Sequence, residues 1–467
     1  MNPSIASLVY LCGIAGLFYL DRDKSLRTSK ALWLPVMYML VLGSRPVSVW
    51  LGITPPVGVD VQLDGSPVDA AFFVMLLTTA LCVLAHRGRR TLSFLNVNGP
   101  VLIYFLFCLL SIMWSDFPVV AFKKWTKAIG DLVMILIIVT DKEPVAALRQ
   151  LFSRLGFILI PMSLLFIKYY PYLGRSYDGW TGAQMNNGVT LNKNTLGVTT
   201  FVLLLGVVWR VLALLRSDEI PPHRGRHLLA QGTLLALGIS LLMTANSVTS
   251  SVCFFIGAGL IFATSLPFVR RKPAAVHMLV LLLLATSSLA TLFGGSILHA
   301  LGRNTTLTGR TDIWAAVIPM APNPLVGAGF ESFWLNPHVH ERLALAIPGL
   351  PLNEAHDGYI EVYLELGWVG LGLIGLIFIS GYRRSVMAFR RAPAIGGLMI
   401  AYILTAMIYS VTEAGFRMLD PIWIFFLLAV IEASNVAVGV AVGASRPLDR
   451  SADRAPELPA RKALATR

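Results

Sequence analysis

The sequence predicts an all-α fold, a polytopic bundle of about 12–13 transmembrane helices with a long, partly helical loop before the eleventh span. Three observations predict it. Apolar runs long enough to cross a bilayer, roughly 20 residues in a helix, recur along almost all of the 467 residues. Charged residues make up only 13% of the chain and the mean hydropathy is +0.70, whereas a soluble domain carries about 25% charged residues. The polar residues that remain are gathered between the runs. An apolar content of 56% and only four cysteines exclude a disordered chain and a secreted disulfide scaffold. The net charge of +13 would suit nucleic acid if the cations shared one soluble surface. They are scattered in small clusters instead, so no nucleic-acid partner is expected.

In chain order the expected spans are residues 5–20, 31–53, 70–85, 98–114, 120–140, 151–168, 195–215, 228–245, 251–269, 275–293, 358–380, 395–415 and 421–443. The first has no Lys or Arg before it and is followed by Asp21-Arg22-Asp23-Lys24 where a cleavage site would need small residues, so it reads as a retained helix. An odd number of spans puts the termini on opposite sides. Alternate connections, together with the tail, hold 27 of the 38 Lys and Arg; ten lie on the other side and Arg45 within a span. The positive-inside rule then places the N-terminus in the periplasm and the C-terminus in the cytoplasm. The expected organisation is a bundle over residues 1–443 and a disordered, basic cytoplasmic tail over 444–467, rich in Pro, Ala and charge. Cys12, Cys82, Cys108 and Cys253 all fall within spans, with no metal-binding spacing.

Two excursions on the outer side, about 169–194 and 294–357, are too long to be simple turns, and long ordered loops tend to carry function. The ten outer cations oppose the orientation that the other 27 impose, which suggests an anionic ligand. Lys123 and Lys124, with Lys127, open one span beside Trp125; lipid headgroup contact would also explain them. Arg175 lies in the first excursion, which closes on Leu191-Asn192-Lys193-Asn194-Thr195 at the mouth of a helix. Capping side chains and free N–H groups there cap the helix or favour an anion. The second excursion contains Arg303, then Gly309-Arg310-Thr311-Asp312-Ile313-Trp314, then Pro324-Leu325-Val326-Gly327-Ala328-Gly329. It ends in His356-Asp357-Gly358-Tyr359-Ile360-Glu361, with Glu361 and Glu365 on one face of the following helix. Carboxylates in a span are costly and by default mark a functional surface; near the interface they would instead stabilise the helix N-terminus. His338, His340, Glu341 and His356 form a weaker alternative, a metal site without a second pair of ligand spacing.

These motifs, in this order and in the outer loops of a polytopic protein, resemble the O-antigen ligase-like and exopolysaccharide polymerase family of bacterial inner-membrane glycosyltransferases. The stretch from Ala31-Leu32-Trp33 to Ser44-Arg45-Pro46 is similar to its succinoglycan-type polymerase branch. The resemblance implies a metal-independent enzyme without cofactors that polymerises undecaprenyl-diphosphate-linked oligosaccharide units on the periplasmic face. It implies catalytic roles for Arg310 and His356, and membrane lipids, a chain-length regulator and export machinery as partners. Lys193, Asn194, Arg175, Arg303, Lys123, Lys124, Trp314 and Glu361 are the expected contacts to diphosphate or glycan. Ligases of the family carry another Arg near the end of the span at 228–245, where this chain has Thr244-Ala245-Asn246-Ser247 and no cation; this departure favours polymerase over ligase. A transporter of the same lipid-linked glycan would need internal repeats and polar residues through its spans, which are not evident. His356 is suited either to take the acceptor proton or, protonated, to hold the diphosphate.

Overall fold

The computed structural model describes residues 2–23, 26–53, 65–177, 182–216, 223–300, 308–347 and 353–444. Helices occupy the positions of all thirteen expected spans, from Pro3–Leu20 to Pro421–Ala444. Seven of them are long and apolar enough to cross a membrane, and the bent pair Arg90–Val97 and Gly99–Trp114 makes an eighth if it counts as one. Shorter apolar helices include Pro393–Tyr409 and Pro421–Ala437, and Pro118–Val139 carries Lys123, Lys124, Lys127 and Asp131 among its apolar residues. The expected tail lies, beyond Ala444, outside the described residues, as does Arg303.

Burial sorts these helices. Every residue from Ile395 to Ala406 and from Pro421 to Ser434 is buried, as expected of helices that are apolar all round and sit at the centre of a bundle. Phe152, Tyr402 and Phe425 stack between them, with ring planes inclined by 17° to 26°, and the Tyr402 hydroxyl donates to Val202 O at 2.7 Å. Pro3–Leu20 buries only Ala6 and Leu17 and leaves Leu8 and Leu11 exposed, the pattern of a helix that faces lipid.

Two differences from the expected spans have local causes. The span expected over 31–53 stops at Leu42, because Pro46 lacks an N–H and disfavours helix at the residue before it. Arg45 at this break donates to the backbone oxygens of Leu173, Gly188 and Thr190, and so ties the first long loop, 169–194, to the bundle. That loop contains the hairpin Arg175–Tyr177 and Gln184–Asn186, a small exception to an otherwise helical fold. The second difference is the helix Gly88–Val97, whose described part from Arg90 is inclined by 83° to Gly99–Trp114.

The ends of the helices remote from the two long loops are joined by a buried polar network. Asp21, which caps Pro3–Leu20, accepts two hydrogen bonds from Arg210, at 2.8 and 3.0 Å, and one from Ser153 Oγ at 2.7 Å. His227 Nδ1 is 3.2 Å away. One hydroxyl thus joins the helices Pro144–Tyr169, Lys193–Leu215 and Arg224–Ala245, since Arg210 and Gln231 also donate to Ser153 Oγ. Removing a shared buried partner costs the desolvation of whatever is left unpaired. Ser153→Ala should therefore lower stability by about 1–3 kcal/mol, read as an earlier thermal unfolding midpoint in detergent.

Candidate functional site

The second long loop is locked onto the helix Gly358–Arg391 by a backbone interlock. Gly358–Arg391 is broken at Gly367, where φ is +63° and ψ −162°, a region open essentially to glycine alone. The break frees backbone groups on both sides, and the segment 324–329 takes them up. Ala328 N donates to Leu364 O at 2.9 Å, Gly329 N to Glu365 O at 2.9 Å, Trp368 N to Pro324 O at 2.9 Å and Val369 N to Leu325 O at 3.0 Å. Both sides need glycine. A Cβ on Gly327 would stand 2.3 Å from the Glu365 carbonyl carbon, and one on Gly367 would stand 2.2 Å from that of Leu325. The motif Pro324-Leu325-Val326-Gly327-Ala328-Gly329 is thus a clasp that sets the height of the loop against the helix.

A second set of contacts fixes His356. Asp357 caps the helix, its Oδ1 accepting from Tyr359 N at 2.8 Å and Ile360 N at 2.9 Å, and His356 just before it has φ +52°. The preceding residue, Ala355, is held at both ends. Trp314 Nε1 donates to its carbonyl at 2.9 Å, and its N–H donates to Glu361 Oε1. Glu361 also accepts from Trp334 Nε1 at 2.7 Å. The polar ends of Trp314 and Glu361, expected to touch substrate, here grip the backbone that carries His356.

Around that histidine the fold assembles a row of alternating charges from five separate parts of the chain. Lys124 Nζ is 3.6 Å from Glu331 Oε2 and donates to Glu331 O at 3.0 Å. Glu331 Oε2 is 3.6 Å from Arg417 Nε, and Arg417 Nη1 is 3.7 Å from Glu354 Oε2. Glu354 Oε1 is 2.9 Å from His356 Nδ1, and that nitrogen is 3.9 Å from Glu413 Oε2. Glu413 Oε1 accepts from Arg310 Nη2 at 3.0 Å, Arg310 Nη1 donates to Thr412 O, and Asn194 Nδ2 donates to Glu413 Oε2 at 3.4 Å. Arg310, His356 and Asn194 therefore converge on Glu413, a residue that sequence reasoning missed. Its signal was an acidic side chain at the outer mouth of an apolar span, the same reason that singled out Glu361.

The charges condition one another. The Glu354 carboxylate beside Nδ1 raises the His356 pKa above its usual 6.5, against burial and the nearby Arg310. Burial acts to raise the Glu354 pKa too, but His356 and Arg417 outweigh it and hold the pKa below the ordinary value. Burial pushes Glu413 up against the pull of Arg310, and pushes Asp357 up to about 6 against its two N–H donors. Glu354 stands within ion-pair distance of Nδ1, a nitrogen that is buried and has no hydrogen bond of good geometry among the described residues.

Beside this row lies a cavity of about 490 Å³ lined by Gln184, Asn186, Lys193, Thr244 and Asn246 among others. Asn192 caps the helix Lys193–Leu215, accepting from Thr195 N at 2.7 Å. Lys193 lines the cavity while its neighbour Asn194 reaches Glu413, so the first turn of this helix connects the two. The remaining expected residues lie apart from the convergence on Glu413. Arg175 is engaged with Ile167 O at 2.8 Å and Gln184 Oε1 at 3.4 Å, shaping the hairpin at the cavity wall. Lys123 is exposed, and Lys124 joins the row only at its far end. His338 turns to Glu341 at 3.2 Å and His340 donates to Trp334 O at 2.8 Å; among the described residues no three His, Cys, Asp or Glu are grouped to hold a metal ion.

Residues 233–375 match the family described as O-antigen ligase. The segment contributes Arg310, Glu354, His356 and the clasped helix, while Lys124, Lys193, Asn194, Glu413 and Arg417 come from outside it. The chain is 26% identical over 287 residues to "Exopolysaccharide production protein ExoQ" of Rhizobium meliloti (strain 1021), a match covering 59% of this chain and 62% of that protein. The chain thus spans less than two thirds of the length of that relative.

Proposed function

For a chain that is O-antigen ligase-like and multi-pass in the membrane, we propose a glycosyltransferase of polysaccharide synthesis that joins undecaprenyl-diphosphate-linked oligosaccharide units into exopolysaccharide. The observation that carries this reading is the convergence of Arg310, His356 and Asn194 on Glu413 beside a cavity lined by Lys193. The inner membrane is the expected location, and the face that carries the site is the periplasmic one.

The chemistry needs little beyond positioning and charge. A lipid diphosphate is already a good leaving group, so the protein has to stabilise its developing charge and orient an acceptor hydroxyl. Arg310 offers a planar fork suited to two phosphate oxygens, held ready by Glu413 until the diphosphate takes its place. Lys193 faces Thr244 and Asn246 across the cavity, where the resemblance expects a cation that the chain lacks at those positions. It supplies that charge from the neighbouring helix. His356, with Glu354 on Nδ1, takes the acceptor proton at Nε2. The side-chain amides and backbone carbonyls of the cavity suit sugar hydroxyls. A ligase would use the same donor site with a different acceptor, and neither match separates the two. The missing cation near Thr244 and the resemblance at residues 31–46 favour the polymerase.

The test is conversion of a lipid-diphosphate-linked oligosaccharide by the purified protein in nanodiscs, followed on gels with and without chelator. A ladder of longer products that chelator spares supports the reading. A single transfer to a lipid or protein acceptor points to the ligase, and no transfer by folded protein with several donors defeats both. The pH profile tests the base. His356 must be neutral to accept a proton, so activity should rise with pH through its raised pKa. Removing the negative charge in Glu354→Gln should lower that pKa and move the acid limb of the profile to lower pH, with a smaller plateau rate. An unmoved limb would remove His356 from the base role.

A further inference from the structure

We propose that a cavity at the opposite ends of the spanning helices binds the headgroup of an anionic phospholipid. It has a volume of about 370 Å³. Pro118–Val139 runs from Lys124 beside the candidate site to Val139 in the cavity wall, and Gly358–Arg391 likewise runs from the site to Arg384, which donates to Val97 O at 2.6 Å and Ser434 Oγ at 2.9 Å. One wall is the helix Gly88–Val97, which lies across the direction of the next span, at 83° from Arg90 onward, as a helix in the plane of the membrane surface does. Its residues Arg90, Ser93, Phe94 and Val97 line the cavity at the spacing of a single helical face. That face offers a cation, a hydroxyl and apolar side chains together, the mixed character that a headgroup and the start of its acyl chains require.

The opposite wall adds Lys142. Arg90 and Lys142 are both exposed, and neither has an ion-pair partner among the described residues. The acid in the wall is already engaged. Asp141 is 3.6 Å from Arg87 and accepts from Ser29 N at 3.1 Å. Glu432, close by in sequence to the lining residue Asn435, is buried and accepts from it at 3.3 Å. Two unpaired cations over a partly apolar pocket between helices match the recognition of anionic headgroups. The site stands apart from the glycan chemistry and does not depend on it.

The experiment is native mass spectrometry of the full chain in detergent, titrated with phosphatidylglycerol, phosphatidylcholine or inorganic phosphate. Wild type should prefer phosphatidylglycerol to phosphatidylcholine, and Arg90→Gln with Lys142→Gln should weaken phosphatidylglycerol binding by about thirtyfold. The control pair Arg271→Gln and Lys272→Gln, also exposed, should leave it unchanged. Equal binding of the two lipids, an unaltered affinity in the first double variant, or an equal loss in the control pair would overturn the proposal. Displacement of the lipid by inorganic phosphate at matched concentration would overturn it in favour of a free anion. Both substituted positions are exposed, so the variants fold, and an unchanged thermal midpoint without lipid checks this.

Discussion

Arg310→Ala should cut glycan transfer by about 10²–10³-fold, the usual cost of removing a preorganised donor from developing negative charge. The Arg310 guanidinium is held by two anchors in the connection between Pro393–Tyr409 and Pro421–Ala444, Glu413 Oε1 at 3.0 Å and the carbonyl of Thr412. Arg310→Lys keeps the charge and loses the fork, so it should recover only part of the rate. His356→Ala should fall by about 10²–10⁴-fold, the range for a general base. The two losses should not add when combined, because both side chains lie against Glu413 and residues in one network couple. Initial rates with a lipid-diphosphate-linked oligosaccharide measure all of this. An Arg310→Ala protein that elutes and melts as wild type yet transfers at the normal rate would remove Arg310 from the site.

Gly367→Ala should be a strongly damaging conservative change. A φ of +63° with ψ of −162° costs a residue with a side chain about 1–3 kcal/mol. The new Cβ would also stand 2.2 Å from the Leu325 carbonyl carbon, and overpacking of that kind adds about 1–3 kcal/mol. The clasp has to open, and with it the height of the loop that brings in Glu331, Trp334 and Glu354. Thermal unfolding in detergent should show a clearly lower midpoint, and limited proteolysis faster cutting within residues 294–357. Gly372→Ala is the control. It lies on the same helix with nothing within 4 Å of a new Cβ, and should behave as wild type. Equal stability of the two variants would mean that the clasp does not hold the loop.

Much of the candidate site was legible because chemistry-bearing residues stand out against an apolar background. Arg310, Lys193 and His356 were found as cations or histidines in outer loops, and Asn194 as a polar residue at the mouth of a helix. Glu413 was not, since it is a single carboxylate in a short connection and its importance comes only from what folds onto it. Trp314 and Glu361 were recognised as unusual, and the structure adds a positioning contact that the sequence did not suggest. Their polar atoms are taken up by Ala355, a backbone contact that no residue type announces. Arg175 is likewise used to shape a hairpin.

By itself the sequence determined that the chain is a helical membrane protein, roughly where its apolar helices lie and which connections hold the polar residues. These follow from the number of apolar residues a bilayer requires and the cost of leaving charge within it, and both are local sums along the chain. Only the tertiary structure decided which of those polar residues meet. The row from Lys124 to Arg310 draws on five segments up to about 290 residues apart in sequence, and the clasp at Gly367 depends on where a broken helix leaves its backbone groups unpaired. Burial, charge pairing and backbone satisfaction are properties of neighbours in space, and the packing of the helices together selects those neighbours.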